Sequence, residues 1–267
     1  AGLTAAPGFI DLHAHGGGGR SVMDGDPQSV VHMANAHARC GTTTILPTAW
    51  TAPLLEIERA IDAVRAAGAQ QREALRTPAD ADWRALLDRW DGIRIVGAAP
   101  ELDGALALGD ELRRRGVVAS IAHSDAYEAD VRRAVAHGFC DVTHLYSGCS
   151  TFARRFGFRD PGVVECALAF DELTVEVIAD GRHLPDAMLR LIWRAKGAEK
   201  MILITDALEF AAAPLGEGGA YRQQNGLDVI YEDGVMKLAS RQAFAGSVAT
   251  TDRLLRVAVG AGIPLAQ

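Results

Sequence analysis

Short apolar, β-branched runs alternate along most of the chain with stretches whose apolar residues recur at helical spacing. The runs predict strands over 8–13, 43–47, 93–98, 117–122, 141–145, 174–178 and 201–205. The helical stretches are 54–67, 105–115, 127–137, 162–170 and 184–196. Pro185 suits the first turn of the last of these, where a missing N–H costs nothing. Such alternation reads as βαβ units and a parallel sheet, an α/β fold of the (β/α)8 kind. The pattern changes after Asp206. "GLDVIYEDGVMKLA" sets two alternating runs on either side of Asp233–Gly234 and predicts a β-hairpin, inserted within 211–243. A final helix, 251–259, follows "FAGS".

The polar residues that interrupt this pattern fall at strand ends. His13 and His15 close the first strand, His123 closes "VVASIAH", His144 closes "DVTH", Asp180 closes "TVEVIAD" and Asp206 closes "MILITD". Packing does not explain five strands of seven ending in His or Asp, whereas a barrel carries its active site at the carboxyl ends of its strands. Seven strands is one too few. Between Thr48 and Gly92 the sequence offers helix, loop and helix; "RAAGAQQREALRTPADADW" is too polar and too rich in breakers for a strand. The expectation is that the third strand is missing, with a join near 65–70.

Composition narrows the picture. The 267 residues are 49% hydrophobic, enough for one large core and a single barrel over 1–267. A net charge of −7 argues against a nucleic-acid surface. No apolar run reaches the roughly 18 residues of a membrane helix. The four cysteines, Cys40, Cys140, Cys149 and Cys166, show no CxxC spacing, so the reading is a reduced, cytoplasmic protein without membrane or nucleic-acid partners.

The strand-end groups suggest a reaction. In "PGFIDLHAHGGGG", strand alternation puts His13 and His15 on one face. Neutral imidazoles suit Zn²⁺ or Fe²⁺, and a catalytic site leaves one position open for water. Asp206 is the candidate general base and then acid: it takes a proton from the attacking water and passes it to a leaving amine. His32, His37 and His137 lie in helical stretches and read as surface or helix-end residues.

"PGFIDLHAHGGGG", "GTTTILPT", "APE", "SIAHSDA", "THLYSG", "ADGRHLP", "ILITDA" and "FAGS" together resemble, in this order and over nearly the whole chain, the N-acetylglucosamine-6-phosphate deacetylases of the amidohydrolase superfamily. The resemblance implies a metal-dependent barrel that removes acetate from N-acetylglucosamine 6-phosphate, usually as a homodimer, with one or two divalent ions, Zn or Fe, per subunit. It makes His123 and His144 metal ligands, His13 and His15 the ligands of a second metal position, and Asp206 the catalytic acid/base. Ser147 and Gly148 match the positions that hold the sugar phosphate. Arg159 matches an arginine that reaches the phosphate bound in the neighbouring subunit, and its planar guanidinium suits that ligand. His183 matches a substrate-contacting histidine, and Phe244, Ala245 and Gly246 match the segment that shapes the acetyl and sugar pocket. Ala69 and Gln70 match another sugar-contacting pair.

The chain departs from the family in three places. The family's HLEGP motif, whose glutamate is a metal ligand, is absent, and its expected place is that of the missing strand. Glu101 in "APE" is no substitute, because the family carries that glutamate as well. The family also has segments before the first strand and after the point reached by Gln267 that build a small β-sandwich, expected here to be largely absent. Two other readings stay open. One is another amidohydrolase, either a deaminase or a dihydroorotase- or hydantoinase-like enzyme; the latter two usually need a carboxylated lysine, and Lys196, Lys200 and Lys237 stand at no strand end. The other is a sugar-phosphate-binding homologue without catalysis.

Overall fold

The computed structural model describes residues 9–67, 72–73, 83–224 and 226–264. The β-branched and apolar runs form β1 (Phe9–Ala14), β2 (Thr42–Pro47), β4 (Ile93–Ala98), β5 (Val118–Ile121), β6 (Phe139–Val142), β7 (Thr174–Ile178) and β8 (Met201–Ile204). A two-residue β3 (Arg72–Glu73) stands in the interval where the sequence offered no third strand. Its Arg72 lies opposite Ile93 and its Glu73 opposite Ile95, in parallel register. Two residues are too short a run for any alternation to be read. Of the supposed join near 65–70, the part up to Ala66 is ordinary helix and the remainder lies largely outside the described residues.

Six strands form one sheet in the order β8-β7-β6-β5-β4-β3, and β1 pairs with β2, every pair parallel. The two sheets meet at both ends, β1 beside β8 and β2 beside β3. Past its last rung, β8 stays tied to β1: the Asp206 N–H donates to the His13 carbonyl at 2.9 Å and the His15 N–H to the Ala207 carbonyl at 2.8 Å. Asp11 strengthens this seam by accepting from the Thr205 hydroxyl at 2.5 Å.

The helices are α1 (Pro27–Ala38), α2 (Leu54–Ala66), α3 (Trp83–Arg89), α4 (Ala105–Arg115), α5 (Glu128–Ala136), α6 (Val163–Ala169), α7 (Asp186–Lys200) and α8 (Thr251–Gly260). α1 escapes the apolar pattern because its buried face includes Ser29 and His37 beside Val30, Met33 and Ala36. α7 was expected to stop at Lys196; at that point Gly197, at φ +64°, interrupts it before it resumes. Helix faces and strand backs bury Trp90, Ile93, Leu108, Leu112, Phe139, Leu173 and Ile192 almost completely. Each such side chain contributes about 1.5–3 kcal/mol. After β8 the predicted hairpin is there, Asp228–Glu232 against Val235–Leu238, joined through Asp233 and Gly234 at positive φ. Ala220–Arg222 adds a third antiparallel strand. No helix among the described residues is long and apolar enough to cross a membrane.

Candidate active site

The strand ends bring together the five residues picked out as metal ligands and acid/base. His13 lies on β1 and His15 one residue beyond it; His123, His144 and Asp206 each follow their strands by two residues. His13, His15, His123, His144 and Asp206 line one cavity of about 440 Å³ together with Trp50, Leu208, Glu209, Gln223 and Phe244. Three of them, His123 (φ +46°), His144 (φ +31°) and Asp206 (φ +48°), hold left-handed backbone conformations that side-chain-bearing residues avoid. Strain of this kind gathers at functional sites, where the surrounding fold imposes it.

Hydrogen bonds set the proton on each ring of the first strand. His15 Nδ1 donates to the Thr48 carbonyl at 2.8 Å; a carbonyl only accepts, so this nitrogen carries the proton. His13 Nδ1 stands 3.1 Å from a carboxylate oxygen of Glu176. In the neutral tautomers both Nε2 atoms then bear lone pairs. They face each other at 3.3 Å, and Asp206 Oδ1 lies 3.3 Å from one and 3.5 Å from the other. Three acceptors converging this closely repel unless positive charge sits among them. The ligand atoms of His13, His15 and Asp206 lie within 4.8 Å of one another, so this donor set fits a divalent cation. His144 and His123 face each other in the same way, Nε2 to Nε2 at 3.1 Å, and the rings of His13 and His144 are 6.0 Å apart.

Electrostatics agree with ligation by neutral rings. Burial pushes His144 down to about 4 and lowers His123. Burial works to raise the Asp206 carboxyl; a hydrogen bond from His15, which needs a proton on Nε2, and positive charge on His13 and His144 lower it below the usual carboxylate range, the part that a cation among neutral rings would play. Glu176, enclosed on β7, is pushed up to about 7 by burial, with Asp141 adding to the effect.

The remaining predicted site residues are placed unevenly. Phe244, Ala245 and Gly246 line the cavity, and His183 adjoins it, its ring 5.1 Å from that of Phe244 and its Nδ1 2.8 Å from Asp180. Gly148 backs His123: a Cβ there, at φ +60°, would come within 2.7 Å of His123 Nδ1. Ser147 is half-buried beside it. Arg159 stands exposed on a two-stranded hairpin, Ala153–Arg155 with Phe158–Asp160, and is not among the residues lining this cavity. Ala69 and Gln70 lie outside the described residues. His37, read from sequence as a surface or helix-end residue, is instead fully buried; its Nε2 bonds to the Gly16 carbonyl at 2.9 Å and holds the glycine turn after His15. Sequence reasoning missed Trp50, Glu176, Glu209 and Gln223. For Glu176 a signal existed, a lone acid inside the apolar strand "TVEVI".

An ionised carboxylate among neutral imidazoles, at the carboxyl ends of parallel strands, is the equipment of a hydrolase that activates water. No protein-family model matches the chain. It is 31% identical over 279 residues to the N-acetylglucosamine-6-phosphate deacetylase of Lysinibacillus sphaericus, covering 94% of this chain and 69% of that one. It is likewise 31% identical, over 277 residues, to the N-acetylgalactosamine-6-phosphate deacetylase of Escherichia coli O157:H7, covering 94% of this chain and 71% of the relative. Among solved structures, a variant of the N-acetyl-D-glucosamine-6-phosphate deacetylase of Mycobacterium smegmatis, in complex with N-acetyl-D-glucosamine-6-phosphate, superposes with a TM-score of 0.86 at 30% identity, over 97% of this chain and 72% of that one. The chain belongs to the N-acetylglucosamine-6-phosphate deacetylase family of the amidohydrolase superfamily, hydrolases that act on an amide.

Proposed function

We propose that this protein is a metal-dependent (β/α)8-barrel hydrolase that cleaves the acetamide of N-acetylglucosamine 6-phosphate to glucosamine 6-phosphate and acetate. The convergence of His13, His15 and Asp206 within 4.8 Å, at the floor of a cavity open to a small ligand, carries this reading. His123 and His144, and the His13–His15 pair, would hold Zn²⁺ or Fe²⁺, one or two per subunit, which would supply Lewis acidity toward the acyl carbonyl and water. Asp206 takes a proton from the attacking water. The water oxygen bonds to the acetyl carbon, the carbon–nitrogen bond breaks, and Asp206 returns the proton to the departing amine. Positive charge gathered about Asp206, on the rings or on a bound cation, favours its ionised form, as a base requires.

Ser147 and Gly148 hold the sugar phosphate. Arg159 reaches it from a second copy of the chain, which accords with an exposed guanidinium set apart from its own cavity. His183 contacts the sugar, and Phe244, Ala245 and Gly246 shape the pocket around sugar and acetyl group. Ala69 and Gln70 are proposed as further sugar contacts. The protein works as a cytoplasmic homodimer. N-Acetylgalactosamine 6-phosphate is the second candidate substrate, because a relative named for it is as similar in sequence as one named for the glucosamine epimer.

Acetate release from both sugar phosphates and from unphosphorylated N-acetylglucosamine, with Zn²⁺ or Fe²⁺ and with a chelator, tests the proposal. Metal-dependent release confined to a phosphorylated sugar is the expected result. Absence of release with either metal, or equal release from the unphosphorylated sugar, refutes it.

A further inference from the structure

The geometry points to Trp50 as the residue that sets which acyl group the site accepts, an assignment that rests on the amide-hydrolysis reading above. The acyl carbon must lie against Asp206 and the imidazoles, because the water attacks it there. Its alkyl tail therefore touches whatever apolar wall stands next to that cluster. Apart from the histidines, the aromatic residues lining the cavity among those described are Trp50 and Phe244. Phe244 is 44% exposed and lies beside His183. Trp50 stands at the cluster itself, its ring 5.8 Å from that of His15, which in turn contacts Asp206 at 3.3 Å.

Trp50 is also held in register with the reacting groups. Thr48, two residues earlier, is tied to β1 through its backbone N–H to the Ala14 carbonyl at 2.9 Å and through its hydroxyl oxygen, which accepts from the Ala14 N–H at 3.3 Å. The Thr48 carbonyl accepts from the His15 ring itself, and Ala49 is buried. The indole is only half-buried, whereas Trp83 and Trp90 are packed into the core. A large flat side chain, anchored at its base and open to the cavity, limits the acyl tail by contact. Leu208, Leu227 and Leu238 also line the cavity; Leu208 is packed against Gly246, where a Cβ would lie 2.1 Å from its Cδ1, and none of the three has a ring against His15 as Trp50 does.

The test compares kcat/KM for N-acetyl-, N-propionyl- and N-butyryl-hexosamine 6-phosphates in the metal-loaded parent and in Trp50→Ala, Trp50→Phe and Leu208→Ala. One methylene against such a wall is worth about 10-fold or more. The parent is expected to prefer acetyl, Trp50→Ala to raise the propionyl-to-acetyl ratio at least about 10-fold, and Trp50→Phe to fall between them. Trp50→Phe preserves the test if the alanine variant does not fold. A ratio that stays within about twofold of the parent in the Trp50 variants, or that moves in Leu208→Ala instead, overturns the assignment. The two readings fail separately: acyl release by the parent carries the hydrolysis, and the ratio between acyl chains carries the role of Trp50.

Discussion

Replacing Glu176 by Leu separates orientation of the metal site from support of the core. Glu176 is fully enclosed on β7, and its carboxylate is the acceptor for His13 Nδ1. Partners of this kind fix the tautomer and angle of a ligating ring, and losing one costs about 10- to 100-fold in metal affinity. Zn²⁺ affinity, measured by competition with a chromophoric chelator, is therefore expected to fall by that factor. Glu176→Gln, whose side-chain carbonyl still accepts from Nδ1–H, should recover most of it. Stability should move differently. The carboxyl is pushed from 4.5 up to about 7, so its charged form is disfavoured in the fold by about 3 kcal/mol, at about 1.4 kcal/mol per unit. A folded value above the unfolded one means stability that is present below pH 4.5 and lost as pH rises through 7. In urea titrations the metal-free parent should lose about 3 kcal/mol between pH 4.5 and 8 through this group, a slope missing from both variants. A core-filling role alone predicts parallel pH curves and unchanged metal affinity in Glu176→Leu, and that result refutes the reasoning.

Asp206→Asn should keep KM within a few-fold while turnover drops by about 10²–10⁴, the usual size of general acid–base assistance; turnover close to the parent's would remove Asp206 from that role. Gly148→Ala puts a methyl 2.7 Å from His123 Nδ1 at a left-handed backbone position. It should cost about 1–2 kcal/mol of stability and weaken Zn²⁺ binding, whereas unchanged affinity would mean that His123 tolerates displacement. In the metal-free protein the His144 ring should titrate near pH 4 by NMR. Because the unfolded chain takes up that proton near pH 6.5, stability should fall as pH drops from 6.5 to 4; a folded midpoint near 6.5 would contradict the burial argument. Arg159→Ala should mainly raise KM for the phosphorylated sugar, and an unchanged KM would exclude its contact with the phosphate.

Period and punctuation made much of the fold readable. Among the described residues, seven of the eight parallel strands are runs of β-branched and apolar residues, long enough for their type to show, and the hairpin announces itself by Asp233–Gly234. The polar residues closing those strands were equally visible, because a charged or imidazole side chain stands out at the end of an apolar run. β3 was not, since two residues carry no period. Nor was the buried side of α1, where His37 is held through Nε2 by the Gly16 carbonyl and Ser29 bonds to the capping Asp26.

The sequence by itself determined the strand–helix alternation, the polar strand ends and the residue types available for chemistry, because those depend on local spacing. Only the tertiary structure decided which acceptors converge. Residues 13, 15 and 206 meet because β8 returns to pair beside β1; Glu176 joins them because β7 holds its carboxyl against His13 Nδ1, and Trp50 because the turn after β2 opens on the cavity. Contacts between residues so distant along the chain are set by strand order and packing, which leave no periodic trace in a linear sequence.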